Sequence, residues 1–132
     1  MNANDATILV VDDNDMSRAL VRLQLGRLGV GSVAEAADGV AALAWLAGHR
    51  CDVVLSDCQM PNMDGYTLAR RIRAAEAGGA AHLPIVALTA SVMDDERARC
   101  LAAGMDGHVA KPTQLAGLRA ALAPWLATAA RP

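Results

Sequence analysis

The sequence predicts an α/β fold, a parallel sheet wound on both faces by helices, from three observations. Five short apolar runs alternate with longer helical patterns along the chain. The runs lack the polar alternation of a half-exposed sheet, as strands covered on both faces do. Gly29, Gly48, Pro61, Gly65 and the pair Gly78 and Gly79 punctuate the pattern between runs. Alternation of this kind gives βα units, and right-handed crossovers restrict them to a doubly wound sheet.

Thr7–Val11 is a β-branched run and reads as the first strand. The helix after it brings Leu20, Val21, Leu25 and Leu28 near one face, with Gly29 placed to stop it. Ser32–Ala36 is a weaker second strand, and Asp38 caps a helix through Val40, Leu43 and Leu46 that ends near Gly48. Asp52–Ser56 is the third strand. Pro61 and Gly65 then mark a constrained loop before a helix through Leu68 and Ile72. Leu83–Leu88 is the fourth strand, followed by a helix over Val92–Ala103 that opens on Asp94, Asp95 and Glu96, acids suited to a helix N-terminus. Gly107–Ala110 is a short fifth strand and Gln114–Leu126 the last helix. The division is a lead over 1–6, one domain over 7–126 and a frayed tail over 127–132.

At 132 residues and 54% hydrophobic content the chain can build one core without staples. It has no Phe and only Tyr66, Trp45 and Trp125 as aromatics, so that core rests on Val, Leu, Ile, Met and Ala. A net charge of -2 and the lack of a basic stripe argue against nucleic-acid binding. Cys51, Cys58 and Cys100 are odd in number and lack paired metal-ligand spacing, so they read as reduced thiols. No run approaches the roughly 20 apolar residues of a membrane helix, and the start lacks a signal-peptide pattern. These features predict a cytoplasmic domain without membrane contact.

Four runs end on residues suited to phosphate or metal chemistry: Asp12 and Asp13, Asp57, Thr89, and Lys111. In a parallel sheet these ends meet at one edge, where open α/β sheets bind ligands. Close carboxylates repel by about 4 kcal/mol per pair at an effective dielectric near 20. Mg²⁺ offsets such repulsion, using one or two carboxylates and a substrate phosphate. A carboxylate can then act as nucleophile toward phosphorus. Asp57, alone at the end of the third run, is the candidate, while the adjacent Asp12 and Asp13 suit the metal. Lys111 can neutralise one phosphoryl oxygen and Thr89 can hydrogen-bond another.

These residues sit in recognisable motifs: SDCQMPNMDG over Ser56–Gly65, VVDDN over Val10–Asn14, LTA over Leu88–Ala90 and KP at Lys111 and Pro112. In their order along the chain, VVDDN, SDCQMPNMDG, LTA and KP, they resemble the receiver domain of two-component response regulators, over about Thr7 to Leu126. The resemblance implies a flavodoxin-like (βα)5 three-layer sandwich whose five-stranded sheet has the order 2-1-3-4-5. It implies that Asp57 takes a phosphoryl group from a histidine of a partner kinase or histidine phosphotransfer domain. Asp12, Asp13, Asp57 and the Gln59 backbone carbonyl would serve Mg²⁺, and Lys111 and Thr89 would contact the phosphoryl group. The Lys111–Pro112 bond would be cis. Signalling would run through Thr89 and an aromatic of the fifth strand to a docking face made by the fourth helix, fifth strand and fifth helix.

His108 occupies that aromatic position. It is either a smaller ring filling the same niche with weaker coupling, or a titratable group that adds pH sensitivity. Gln59 and Ser91 lie two residues beyond Asp57 and Thr89, where the resemblance implies control of phosphoryl lifetime. None of His49, His82 or His108 sits in a kinase-like setting, so the phosphodonor is expected to be another protein or domain.

The wording DCQMPNMDGYTLARRIR is most similar to receivers attached to hybrid sensor kinases. Such a receiver is a phosphoacceptor with self-catalysed loading and unloading rather than an enzyme. The alternative is a stand-alone receiver that signals by docking. The chain ends after the last helix, so no DNA-binding or enzymatic output module is expected. A Mg²⁺-dependent aspartyl phosphatase would commonly need an acid where Gln59 stands, and a flavin or nucleotide site would need a glycine-rich loop after the first strand.

Overall fold

Residues of the first strand sort by parity onto two cores. Ile8 and Val10 face one side of the sheet and Leu9 and Val11 the other, all fully buried. The same division continues in the other central strands of the computed structural model, which describes residues 3–77, 79, 81–90 and 93–126. The strands are β1 (Thr7–Val11), β2 (Ser32–Ala36), β3 (Val53–Asp57), β4 (Ile85–Thr89) and β5 (Gly107–Ala110). The helices are α1 (Asp15–Arg27), α2 (Gly39–Gly48), α3 (Gly65–Glu76), α4 (Asp94–Ala103) and α5 (Leu115–Leu122). All pairings are parallel and the order is β2-β1-β3-β4-β5, as the family resemblance implied.

One core joins Leu9, Val11, Val54 and Ala87 to Leu68 and Ile72 of α3, Ala42 of α2, and Cys100 and Ala103 of α4. The opposite core joins Ile8, Val10, Leu55, Val86 and Leu88 to Val21 and Leu25 of α1 and Leu118 and Leu122 of α5. Each Val, Leu or Ile among them contributes about 1.5–3 kcal/mol by leaving water.

Local signals fix most element ends. Asn14, Asp38 and Asp64 each accept a hydrogen bond from the third residue of the helix that follows, at 2.8–2.9 Å. Gly29, at φ +85°, ends α1, with Val30 N–H donating to the Leu25 carbonyl and Gly29 N–H to that of Gly26.

The structure departs from the sequence expectation at several places. Leu20 is 39% exposed while Val21 and Leu25 are buried, because the stripe of α1 that meets the sheet is too narrow to include both Leu20 and Val21. β4 begins at Ile85 rather than Leu83, just after Pro84, which has no N–H to give a ladder. The last helix spans Leu115–Leu122 rather than Gln114–Leu126, and Pro124 explains the early stop, although Leu126 is still buried. The tail expected at 127–132, and Val92 at the expected start of α4, lie outside the described residues.

At the N-terminal ends of β4 and β5, Arg73 ties four segments together. Its Nε donates to the Gly104 carbonyl at 2.8 Å, Nη1 to the Leu83 carbonyl and to Glu76 at 2.8 Å, and Nη2 to Asp106 at 2.7 Å. Asp106 in turn accepts from Ile85 N–H, and Glu76 from Leu83 N–H. Among the described residues no helix is long and apolar enough to cross a membrane.

Candidate functional site

Register brings the expected residues together at the carboxyl ends of the strands. Val11 pairs with Ser56, so Asp12 and Asp57, one residue further on, are level. Thr89 pairs with Ala110, which places Lys111 just beyond. Carboxylate oxygens of Asp12, Asp13 and Asp57 all lie within 4.8 Å of one another.

Asp12 is fully buried and fully engaged. Its Oδ1 accepts from Asn14 N–H at 2.9 Å, its Oδ2 from Lys111 Nζ at 3.0 Å, and its carbonyl from Arg18 Nη1 at 2.6 Å. Asp13 is exposed, which leaves the acidic cluster one side open to water. Asp57 is half-buried; its Oδ2 lies 3.4 Å from Lys111 Nζ and its Oδ1 3.4 Å from Gln59 N.

Charge is unevenly balanced here. Burial raises the Asp57 carboxyl above its ordinary pKa and the charge of Asp12 adds to the rise, against the opposing pull of Lys111. Burial alone would lower the Lys111 ammonium, but its hydrogen bond to Asp12 and the charges of Asp57 and Asp12 raise it. Lys111 therefore stays cationic between two acids. Its main chain is set by an N–H bond to the Thr89 carbonyl at 2.8 Å, and the Lys111–Pro112 peptide is cis. The donor set is all oxygen, anionic and open on one side, and this suits a hard divalent cation.

Thr89 is buried, with its hydroxyl 3.4 Å from Glu96 Oε1 of α4. The same carboxylate oxygen accepts the Tyr66 hydroxyl. Sequence reasoning missed this role for Glu96, taking it only as an acid at a helix start, and missed Tyr66. The chain's one Tyr, buried just past the loop that follows Asp57, was the available signal, because a buried phenol needs a partner. The Gln59 side chain is exposed. His108 is half-buried, beside a groove of about 460 Å³ lined in part by Arg97, Leu101, Met105, Ala121 and Trp125. Ser91 lies outside the described residues.

The family model described as the response regulator receiver domain matches residues 8–123. The chain belongs to that receiver family. Sensor histidine kinase RcsC of Salmonella typhi is 47% identical to this receiver over 120 residues, 91% of this chain and 12% of that protein. The chain thus spans about an eighth of that relative's length. The receiver domain of sensor histidine kinase PA1611 from Pseudomonas aeruginosa, solved with magnesium coordinated in its active site cleft, matches with a TM-score of 0.81 and 38% identity. That match covers 92% of this chain and 98% of the other. The receiver domain of Saccharomyces cerevisiae Ssk1, solved with the histidine phosphotransfer protein Ypd1, gives a TM-score of 0.86 at 25% identity, covering 93% and 90%.

Proposed function

We propose that Asp57 is the phosphoacceptor of this receiver, loaded from a phosphohistidine of a partner protein or domain. The observation that carries the reading is Lys111 Nζ lying 3.0 Å from Asp12 and 3.4 Å from Asp57 at the sheet edge. An Asp57 oxygen attacks phosphorus, the phosphorus–nitrogen bond of the donor breaks, and the imidazole leaves with the electron pair. Lys111 offsets charge on the transferred group. Thr89, released from Glu96, supplies a hydroxyl to another oxygen. Asp12, Asp13, Asp57 and the Gln59 carbonyl would hold Mg²⁺, which would supply positive charge against the phosphoryl oxygens. Gln59 and Ser91 set the lifetime of the acyl phosphate, which the chain both forms and loses without a separate enzyme.

The setting we infer is a cytoplasmic phosphorelay in a bacterial hybrid sensor kinase, supported by the 47% identity to RcsC. The partner class is a histidine kinase or histidine phosphotransfer domain, as in the Ssk1 complex. Loading is read out on the face of α4, β5 and α5, where the groove beside His108 lies. Glu96 joins this face to the acceptor end through Thr89.

Intact mass after incubation with Mg²⁺ and a small acyl-phosphate donor tests the core reading. The parent should gain one phosphoryl group and Asp57→Asn none. No gain on the parent overturns the proposal. Transfer from a phosphorylated phosphotransfer domain tests the relay setting separately.

A further inference from the structure

Cys58 and Cys100 are 42 residues apart in the sequence, and no metal-binding spacing connects them. The fold nevertheless brings them together. Cys58 follows β3, next to Asp57, while Glu96 and Cys100 stand four residues apart on α4 and so share a face. One ligand atom from each of the three, two sulfurs and a carboxylate oxygen, lies within 4.8 Å of the others. Both thiols are buried, at 1% and 4% exposure, and Glu96 is half-buried.

We propose that Cys58, Glu96 and Cys100 form a second metal site, for a thiophilic divalent ion of the zinc type. A tetrahedral site with bonds of about 2.3 Å to sulfur and 2.0 Å to oxygen puts its ligand atoms roughly 3.5–3.8 Å apart. The ligand atoms, within 4.8 Å of one another, therefore need to draw in by at most about 1.3 Å. Each thiol gives up its proton to solvent on binding. A water or the Tyr66 hydroxyl, already bonded to Glu96, completes the fourth position. Two thiolates and a carboxylate exceed the charge of a divalent ion by one, and the Arg99 guanidinium, 4.1 Å over the Tyr66 ring, supplies nearby positive charge.

Ligand softness separates the two sites. The acidic cluster at Asp12, Asp13 and Asp57 offers only oxygen and suits Mg²⁺, whereas two thiolates select zinc-like ions over Mg²⁺. A bound ion would join the loop after the acceptor to α4 and engage the carboxylate that meets Thr89.

The test is a titration of the reduced full chain with Co²⁺ in saturating Mg²⁺, followed by near-ultraviolet absorbance. A thiolate-to-cobalt band should saturate at about one ion per chain and be displaced by Zn²⁺. Cys51→Ser should keep the band, while Cys58→Ser and Cys100→Ser should each weaken binding by at least about tenfold. If either of these two fails to fold, a band retained in Cys51→Ser still assigns the remaining two thiols. No band in the parent, a band lost in folded Cys51→Ser, or one undiminished in folded Cys58→Ser or Cys100→Ser overturns the proposal.

Discussion

Gln24 of α1 and Thr113, just beyond the cis peptide, exchange hydrogen bonds in both directions. The Gln24 amide donates to the Thr113 carbonyl at 2.9 Å, and the Thr113 hydroxyl donates to Gln24 Oε1 at 2.7 Å. The pair fixes the segment that carries Lys111 against a helix 89 residues away in sequence. Gln24→Ala strands two polar groups of buried Thr113, so stability should fall by about 1–3 kcal/mol. Urea denaturation measures this, and loading from a small donor should slow because Lys111 is less confined. An unchanged midpoint would count against the clamp.

Lys111→Met removes the cation that Asp12 and Asp57 share. In metal-free buffer the fold should lose about 2 kcal/mol, since fully buried Asp12 and half-buried Asp57 both lose the ammonium they share. Calorimetry should show Mg²⁺ binding tightened, because the ammonium no longer repels the ion. Weaker Mg²⁺ binding would contradict this.

Asp57 should make the metal-free protein less stable as pH rises. Its pKa is raised, chiefly by burial, so the folded state holds the proton more tightly than the unfolded state. Stability is then lost from the ordinary carboxylate range up through the raised value. Asp57→Asn has no such loss and should melt higher at neutral pH, by about 2–5 °C. The gap should close toward acid, and melting curves across pH check it.

Asp38 should behave in the opposite sense. Its pKa is lowered, first by the Ala41 N–H and then by the Asn62 amide. Its stabilisation is therefore present above the unfolded carboxylate value and lost as pH falls through the lowered one. Asp38→Ala should lower the melting temperature at neutral pH and matter less in acid. Because Asp38 also holds Asn62, at φ +68° in the acceptor loop, the variant should exchange the amides of that loop faster.

What could be read from the sequence follows from what local patterns encode. The strands that end on Asp57 and Thr89, and the one that ends just before Asp12, could be placed by apolar runs and parallel order, because register needs only the backbone. The sheet order came through the family motifs. The contacts of Glu96 with Thr89 and Tyr66, of Gln24 with Thr113 and of Cys58 with Cys100 could not be read. Each depends on how two helices or a helix and a loop lie across the sheet, and no spacing within one segment records that. Leu20 was misplaced for a related reason: the width of the buried stripe is set by the partner surface.

The Arg73 brace has a mechanical consequence for α4. It grips the Gly104 carbonyl at the foot of that helix and, through Asp106, the start of β4. The other end of α4 carries Glu96, in its first turn and 3.4 Å from the Thr89 hydroxyl. α4 is thus a lever with its fulcrum at Gly104. If Asp57 is loaded as proposed and Thr89 is drawn toward it, α4 is expected to tilt most at its first turn, where Glu96 meets Thr89, and least at Gly104, which Arg73 holds.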